Sequence, residues 1–82
     1  MKGEIVHKVV EYVAGEIVSD AEQLSVTIVE EGPDEVVAEV RTAKGDMGRV
    51  IGRRGRVAKA IRTVAQAAAD EEGLEAGVEF VD

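Results

Sequence analysis

Residues 50–56 read Val-Ile-Gly-Arg-Arg-Gly-Arg. Two glycines three apart enclose two arginines, directly after an apolar pair, in a chain whose formal net charge is -7. Glycines punctuate regular structure, so this stretch divides a short helix before it from a longer one after it. Downstream, the spacing predicts a helix from about Arg56 to Glu71. On a wheel of ~100° per residue, Val57, Ile61, Val64, Ala65 and Ala68 fall on one side. Arg56, Lys59, Arg62, Thr63, Gln66 and Asp70 fall on the other. Ala58 and Ala69 border the apolar stripe on one flank and Ala60 and Ala67 on the other, where small side chains suit either core packing or a contact with a second chain. Gly73 is the natural stop. Upstream, Asp46 is positioned to N-cap a short helix from Met47 to Ile51.

The remaining elements follow from periodicity. Ile5, Val6, Val9, Val10, Val13 and Ile17 recur at helical spacing, which predicts an amphipathic helix over 4–18, ended by Ser19-Asp20. Leu24, Val26 and Ile28 alternate with Ser25 and Thr27 in a strand pattern over 24–30. Gly32, Pro33 and Asp34 make a turn. Val36, Ala38 and Val40 then give the buried face of a second strand over 36–42, antiparallel to the first. Residues 77–82 alternate again, with Val78 and Phe80 facing in. The order is α-β-β-α-α-β. A strand, two helices and a strand join by a right-handed crossover when the two strands pair in parallel. The expected product is an α+β domain spanning 1–82, with a three-stranded mixed sheet and three helices packed on one face.

Composition narrows the function classes. Apolar residues at 45% and charged residues at 33% describe a globular domain and not a disordered one. There is no cysteine, which removes disulfides, thiol nucleophiles and cysteine-based zinc sites. No apolar run approaches the roughly 20 residues that span a bilayer. Glutamates through the first apolar stretch argue against a signal peptide, so a cytoplasmic location without membrane attachment is expected. The one histidine, His7, lies beside Val6 and Val9 on a helix and reads as a surface or core-edge residue. The acidic pairs Glu30-Glu31 and Glu71-Glu72 flank turns and read as solvated surface. No calcium loop, His-x-x-x-His spacing or phosphate loop of the Gly-x-x-x-x-Gly-Lys type occurs. These absences make the chain a non-enzyme without metal or cofactor on this reading.

The charge is polarised. From Arg41 to Arg62 eight basic residues accompany a single acid, Asp46, so the window carries +7. The other 60 residues hold two lysines and 16 acids, or -14. Such a molecule draws anions to one place and repels them elsewhere. The turn at 52–55 suits phosphate. Glycines permit close backbone approach, the following helix presents unpaired N–H groups and the positive end of its dipole, and arginine forks match phosphate oxygens. Gly45-Asp46-Met47-Gly48 repeats the spacing but carries an acid and an apolar side chain, and reads as a loop into a helix. Val50, Ile51 and Val57, with a sheet edge, would give an aliphatic groove beside the clamp. Aromatic residues are only 2%, Tyr12 and Phe80, so base stacking of the kind used by aromatic platforms is not expected.

Val-Ile-Gly-Arg-Arg-Gly resembles the Val-Ile-Gly-x-x-Gly core of a KH domain, whose loop clamps about four backbone nucleotides. The longer stretch KGDMGRVIGRRGRVAKAIRTVAQAAA, residues 44–69, is similar to the small bacterial single-KH proteins of the KhpA (YlqC) family. That resemblance implies a type II KH arrangement and a cytoplasmic protein that binds single-stranded RNA as an RNA chaperone or post-transcriptional regulator. It also implies self-association as a homodimer, pairing with a larger KH-domain protein of the KhpB/Jag/EloR type, and links to cell shape, division and cell-wall growth. The family's RNA loop falls on Gly52, Arg53, Arg54 and Gly55, and its groove isoleucine on Ile51. Arg41, Lys44 and Arg49 would guide the strand before or after the loop as electrostatic helpers, and Arg56, Lys59 and the groove residue Val50 complete the expected RNA-binding set. Lys44-Gly45 stands where relatives often carry a proline and an acid, which makes the entry loop more basic and more flexible. A protein–protein or dimerisation module that does not need RNA is the alternative.

Overall fold

The computed structural model describes residues 1–82. Its elements are α1 (Glu4–Ile17), β1 (Ser25–Gly32), β2 (Glu35–Arg41), α2 (Met47–Ile51), α3 (Arg56–Asp70) and β3 (Glu75–Val81), with single 3-10 turns at Ala21–Gln23, Lys44–Asp46 and Arg53–Gly55. The α-β-β-α-α-β order and the mixed sheet are as the periodicity predicts. Strand order is β1-β2-β3, with β1 antiparallel and β2 parallel to β3. The hairpin is tighter than the sequence suggests. β1 runs through Glu31 to Gly32, which pairs with Glu35 across Pro33 and Asp34, with the register shifting between Glu30 and Gly32.

Alternation fixes which face of the sheet is buried. Val26, Val40 and Phe80 line up across the three strands, as do Ile28, Ala38 and Val78. Val36, Ala38 and Val40 are buried on the face covered by helices, as expected. Each fully buried valine or isoleucine contributes about 1.5–3 kcal/mol, and Val6, Val10, Val36, Val40, Val50 and Ile61 are at most 1% exposed. The helix stripes are rotated from the predicted ones. In α1, Ile5 is 39% exposed and Ala14 is buried instead. In α3, Ala58, Ala65, Ala68 and Ala69 are buried with Ile61, whereas Val57 and Val64 are only half-buried. Small side chains here let α3 lie close to α1 and β3. Ala60 and Ala67 remain exposed.

Two polar residues tie distant segments together. His7 Nε2 donates to the Val26 carbonyl at 2.9 Å, which pins α1 to β1 and agrees with its core-edge reading. Glu72 is not solvated surface as its pattern suggested. Its carboxylate accepts the N–H groups of Gly3 and Ile5 at 3.0 Å each and of Val6 at 3.4 Å. It thereby satisfies donors at the start of α1 that no local side chain caps. The turn that carries Glu72 is set by Gly73, at φ +68. The N–H of Leu74 bonds to the Ala69 carbonyl and that of Gly73 to Asp70, the paired closure typical of a glycine-ended helix.

Candidate nucleic-acid interface

α2 ends where Gly52 turns to φ 75, ψ 170, with its N–H on the Gly48 carbonyl at 2.9 Å. The chain then makes one tight turn, closed by the Gly55 N–H on the Gly52 carbonyl at 3.1 Å, and enters α3 at Arg56. Gly52 is held against the first turn of α3: a Cβ there would lie 2.8 Å from the Cβ of Val57 and 2.9 Å from its backbone nitrogen. Gly55 has φ +72, and a Cβ there would meet nothing within 4 Å. Arg54 lies between them at φ 58, ψ 24, a left-handed conformation that costs a non-glycine residue about 1–2 kcal/mol. This is the kind of local strain that accumulates at functional loops.

Arg53 and Arg54 are exposed at the apex and Arg56 and Lys59 continue along the exposed side of α3. None of these four, nor Arg62 or Lys44, has a carboxylate within 4.0 Å; the carboxylates that do pair with lysine or arginine engage Lys2, Lys8, Arg41 and Arg49. No side chain caps α3 at its N-terminus, and its first amide, the Arg56 N–H, bonds to the Arg53 carbonyl within the turn. The positive end of the α3 dipole and uncompensated guanidinium groups therefore act at one spot.

The other residues singled out by sequence divide into supporting and facing positions. Val50 is 0% exposed and belongs to the core, so it underlies the loop and offers no surface to a ligand. The aliphatic strip beside the loop reduces to Ile51 and Val57, both half-buried. Asp46 immediately precedes α2 but makes no capping bond there. Its carboxylate, 3% exposed, turns instead to the N–H groups of Ser19 and Asp20, at 3.0 Å each, and to Arg49 Nε at 3.3 Å. The backbone donors of Ser19 and Asp20, with help from the Arg49 charge, hold its carboxyl below its ordinary pKa against the opposing effect of burial. Arg49 is thus oriented and partly neutralised. Lys44 lines a shallow hollow with Thr42, Ala43, Met47 and Asp82, at the entry to α2. The second glycine pair, Gly45 and Gly48, adopts no left-handed conformation and is plain scaffold.

Sequence and structure comparisons bear on this arrangement. The sequence model described as KhpA/KhpB, KH domain matches residues 7–80. The chain is 40% identical over 74 residues to RNA-binding protein KhpA of Clostridium perfringens, covering 90% of this chain and 97% of that one. It is 35% identical over 74 residues to RNA-binding protein KhpA of Aquifex aeolicus, covering 90% and 92%. Among solved structures, Aquifex aeolicus Era superposes with a TM-score of 0.64 at 20% identity, over 93% of this chain and 30% of that one. At that identity the likeness is one of fold alone.

Proposed function

We propose that this chain, which belongs to the KhpA/KhpB KH-domain family, binds single-stranded RNA by seating about four nucleotides of its backbone on the Gly52–Gly55 loop. It is a member of a non-enzymatic family and not an enzyme. Arg53 and Arg54 supply charged forks for phosphate, the α3 amides supply neutral donors, and Gly55 leaves the approach open. Ile51 and Val57 give bases an apolar rest, with Val50 supporting them from below. Arg56 and Lys59 extend the positive track along α3, and Arg49 and Lys44 add charge at its entry.

The single observation that carries this reading is the set of uncompensated cations at the start of α3 in a chain of net charge -7. A merely solvated basic face in so acidic a molecule would be expected to recruit carboxylates. The RNA-binding names of the relatives point the same way. On this reading the protein acts in the cytoplasm as an RNA chaperone or post-transcriptional regulator, as a homodimer or beside a larger KH-domain partner of the KhpB/Jag/EloR type.

The test is the double variant Arg53→Asp/Arg54→Asp. Aspartate tolerates the left-handed conformation at position 54, so the fold and any self-association should survive. Affinity for a single-stranded RNA pool should fall at least ~100-fold, since two charge-assisted contacts of about 1.5–3 kcal/mol each are lost. Unchanged affinity would remove the loop as the RNA site and favour a protein–protein module.

A further inference from the structure

The sequence has two aromatic residues, Tyr12 and Phe80, and no stacking platform is expected from it, yet the structure seats a cation over one of the rings. β3 hydrogen-bonds to β2 along one edge only, and its other edge is open to α3. Two α3 side chains reach across to it. Gln66 accepts the Ala76 N–H at 3.0 Å and donates to the Leu74 carbonyl at 3.2 Å. Arg62 donates to the Val78 carbonyl from Nε at 3.4 Å and from Nη2 at 3.3 Å, and its Cζ lies 5.3 Å from the centroid of the Phe80 ring. That separation is within the range of a cation–π contact. Arg62 nevertheless stays exposed.

Arg62 also lies on the positive track. Arg56, Lys59 and Arg62 recur every three residues on one side of α3, and at ~1.5 Å per residue Arg62 is ~9 Å along the helix from Arg56. A segment of about four nucleotides clamped at the loop reaches that far. Guanidinium planes stack on nucleobases as aromatic rings do. A guanidinium tethered to a carbonyl and seated over a ring loses little freedom when a base joins it.

We propose that Arg62, backed by Phe80, is the stacking platform for a base of the strand whose backbone sits on the Gly52–Gly55 loop. The inference rests on the RNA-binding reading above. Purines, with the larger face, are favoured at this position.

Two variants isolate stacking from charge. Arg62→Lys keeps the cation and loses the plane. Phe80→Leu keeps apolar bulk and loses the ring. The assay is titration of a single-stranded RNA octamer carrying 2-aminopurine, whose fluorescence is quenched on stacking, with circular dichroism melts to confirm folding. Both variants should weaken binding about five- to twentyfold and lose the bound-state quench, while the salt dependence of Arg62→Lys stays that of the parent protein. Arg62→Lys binding within twofold of the parent with the quench intact overturns the platform and leaves the loop reading standing. No RNA binding by the parent protein, or parental affinity in Arg53→Asp/Arg54→Asp, overturns the loop reading and the platform with it.

Discussion

Gly52 and Val57 are packed so closely that any β-carbon at position 52 would overlap the Val57 side chain and press on its backbone nitrogen. Three residues later Gly55 shares the positive φ but faces open space. The two glycines of the loop serve different purposes. The first lets the turn fold down on α3, and the second reverses the chain without obstructing its outer side.

Alanine substitutions should separate them. Gly55→Ala should cost about 1–2 kcal/mol, the expense of a left-handed residue with a side chain. Gly52→Ala carries that and an overlap of about 1–3 kcal/mol besides. In a domain of this size each kcal/mol lowers the melting temperature by about 4–8 °C, so thermal unfolding resolves the difference. Equal shifts would show that the Val57 contact is unimportant.

Salt dependence should identify which cations meet phosphate. For a single strand, the slope of log affinity against log salt changes by about 0.7 for each phosphate neutralised. Arg53→Gln and Lys59→Gln should each flatten the slope by that amount. Arg41→Gln should leave it unchanged, because Arg41 is already 3.5 Å from the Glu39 carboxylate. A slope indifferent to Arg53 places the strand elsewhere.

Acid should loosen the tie between the start of α2 and the segment that follows α1. The Asp46 carboxyl titrates below its ordinary value in the folded protein because Ser19 and Asp20 donate to the charged form. A group depressed on folding contributes stability that is complete above its unfolded pKa, near ~3.9, and is lost as pH falls through the folded value. Urea midpoints should decline across that acid range. In Asp46→Asn this part of the decline should vanish and stability at neutral pH should be lower, since the amide oxygen can accept from only one of the two backbone N–H groups and the NH₂ would face the other, donor against donor. A parallel pH profile in the variant would refute the linkage.

Removing the remote cap of α1 should destabilise without touching RNA. Glu72→Ala leaves the N–H groups of Gly3, Ile5 and Val6 without their acceptor, an effect of about 1–2 kcal/mol. Glu72 follows α3 at the end opposite the loop, ~22 Å away along a helix of this length. Affinity for RNA should therefore be unchanged while the melting temperature drops. A loss of affinity beyond that caused by unfolding would contradict the separation.

The sequence alone was enough for the element order, the buried faces of the strands and the placement of a cationic glycine turn between two helices. These are local properties. The alternation of Val36, Ala38 and Val40 follows from the two-residue period of a strand, and the turn follows from backbone freedom at Gly52 and Gly55. What lay beyond it were contacts between residues remote along the chain. Asp46 looked like a helix cap because its neighbours suggest one, but the fold brings Ser19 and Asp20 to it. Glu72 looked solvated until α1 was laid against it, and Val50 and Ile51, adjacent and chemically alike, part into core and flank only when α2 is docked. Likewise only packing sends Ala58 and Ala69 into the core and leaves Ala60 and Ala67 outside. Arg62 meets Phe80 because β3 runs parallel to β2 beside α3. Periodicity records which way a side chain points from its own element; which other element stands there is decided by how the elements pack.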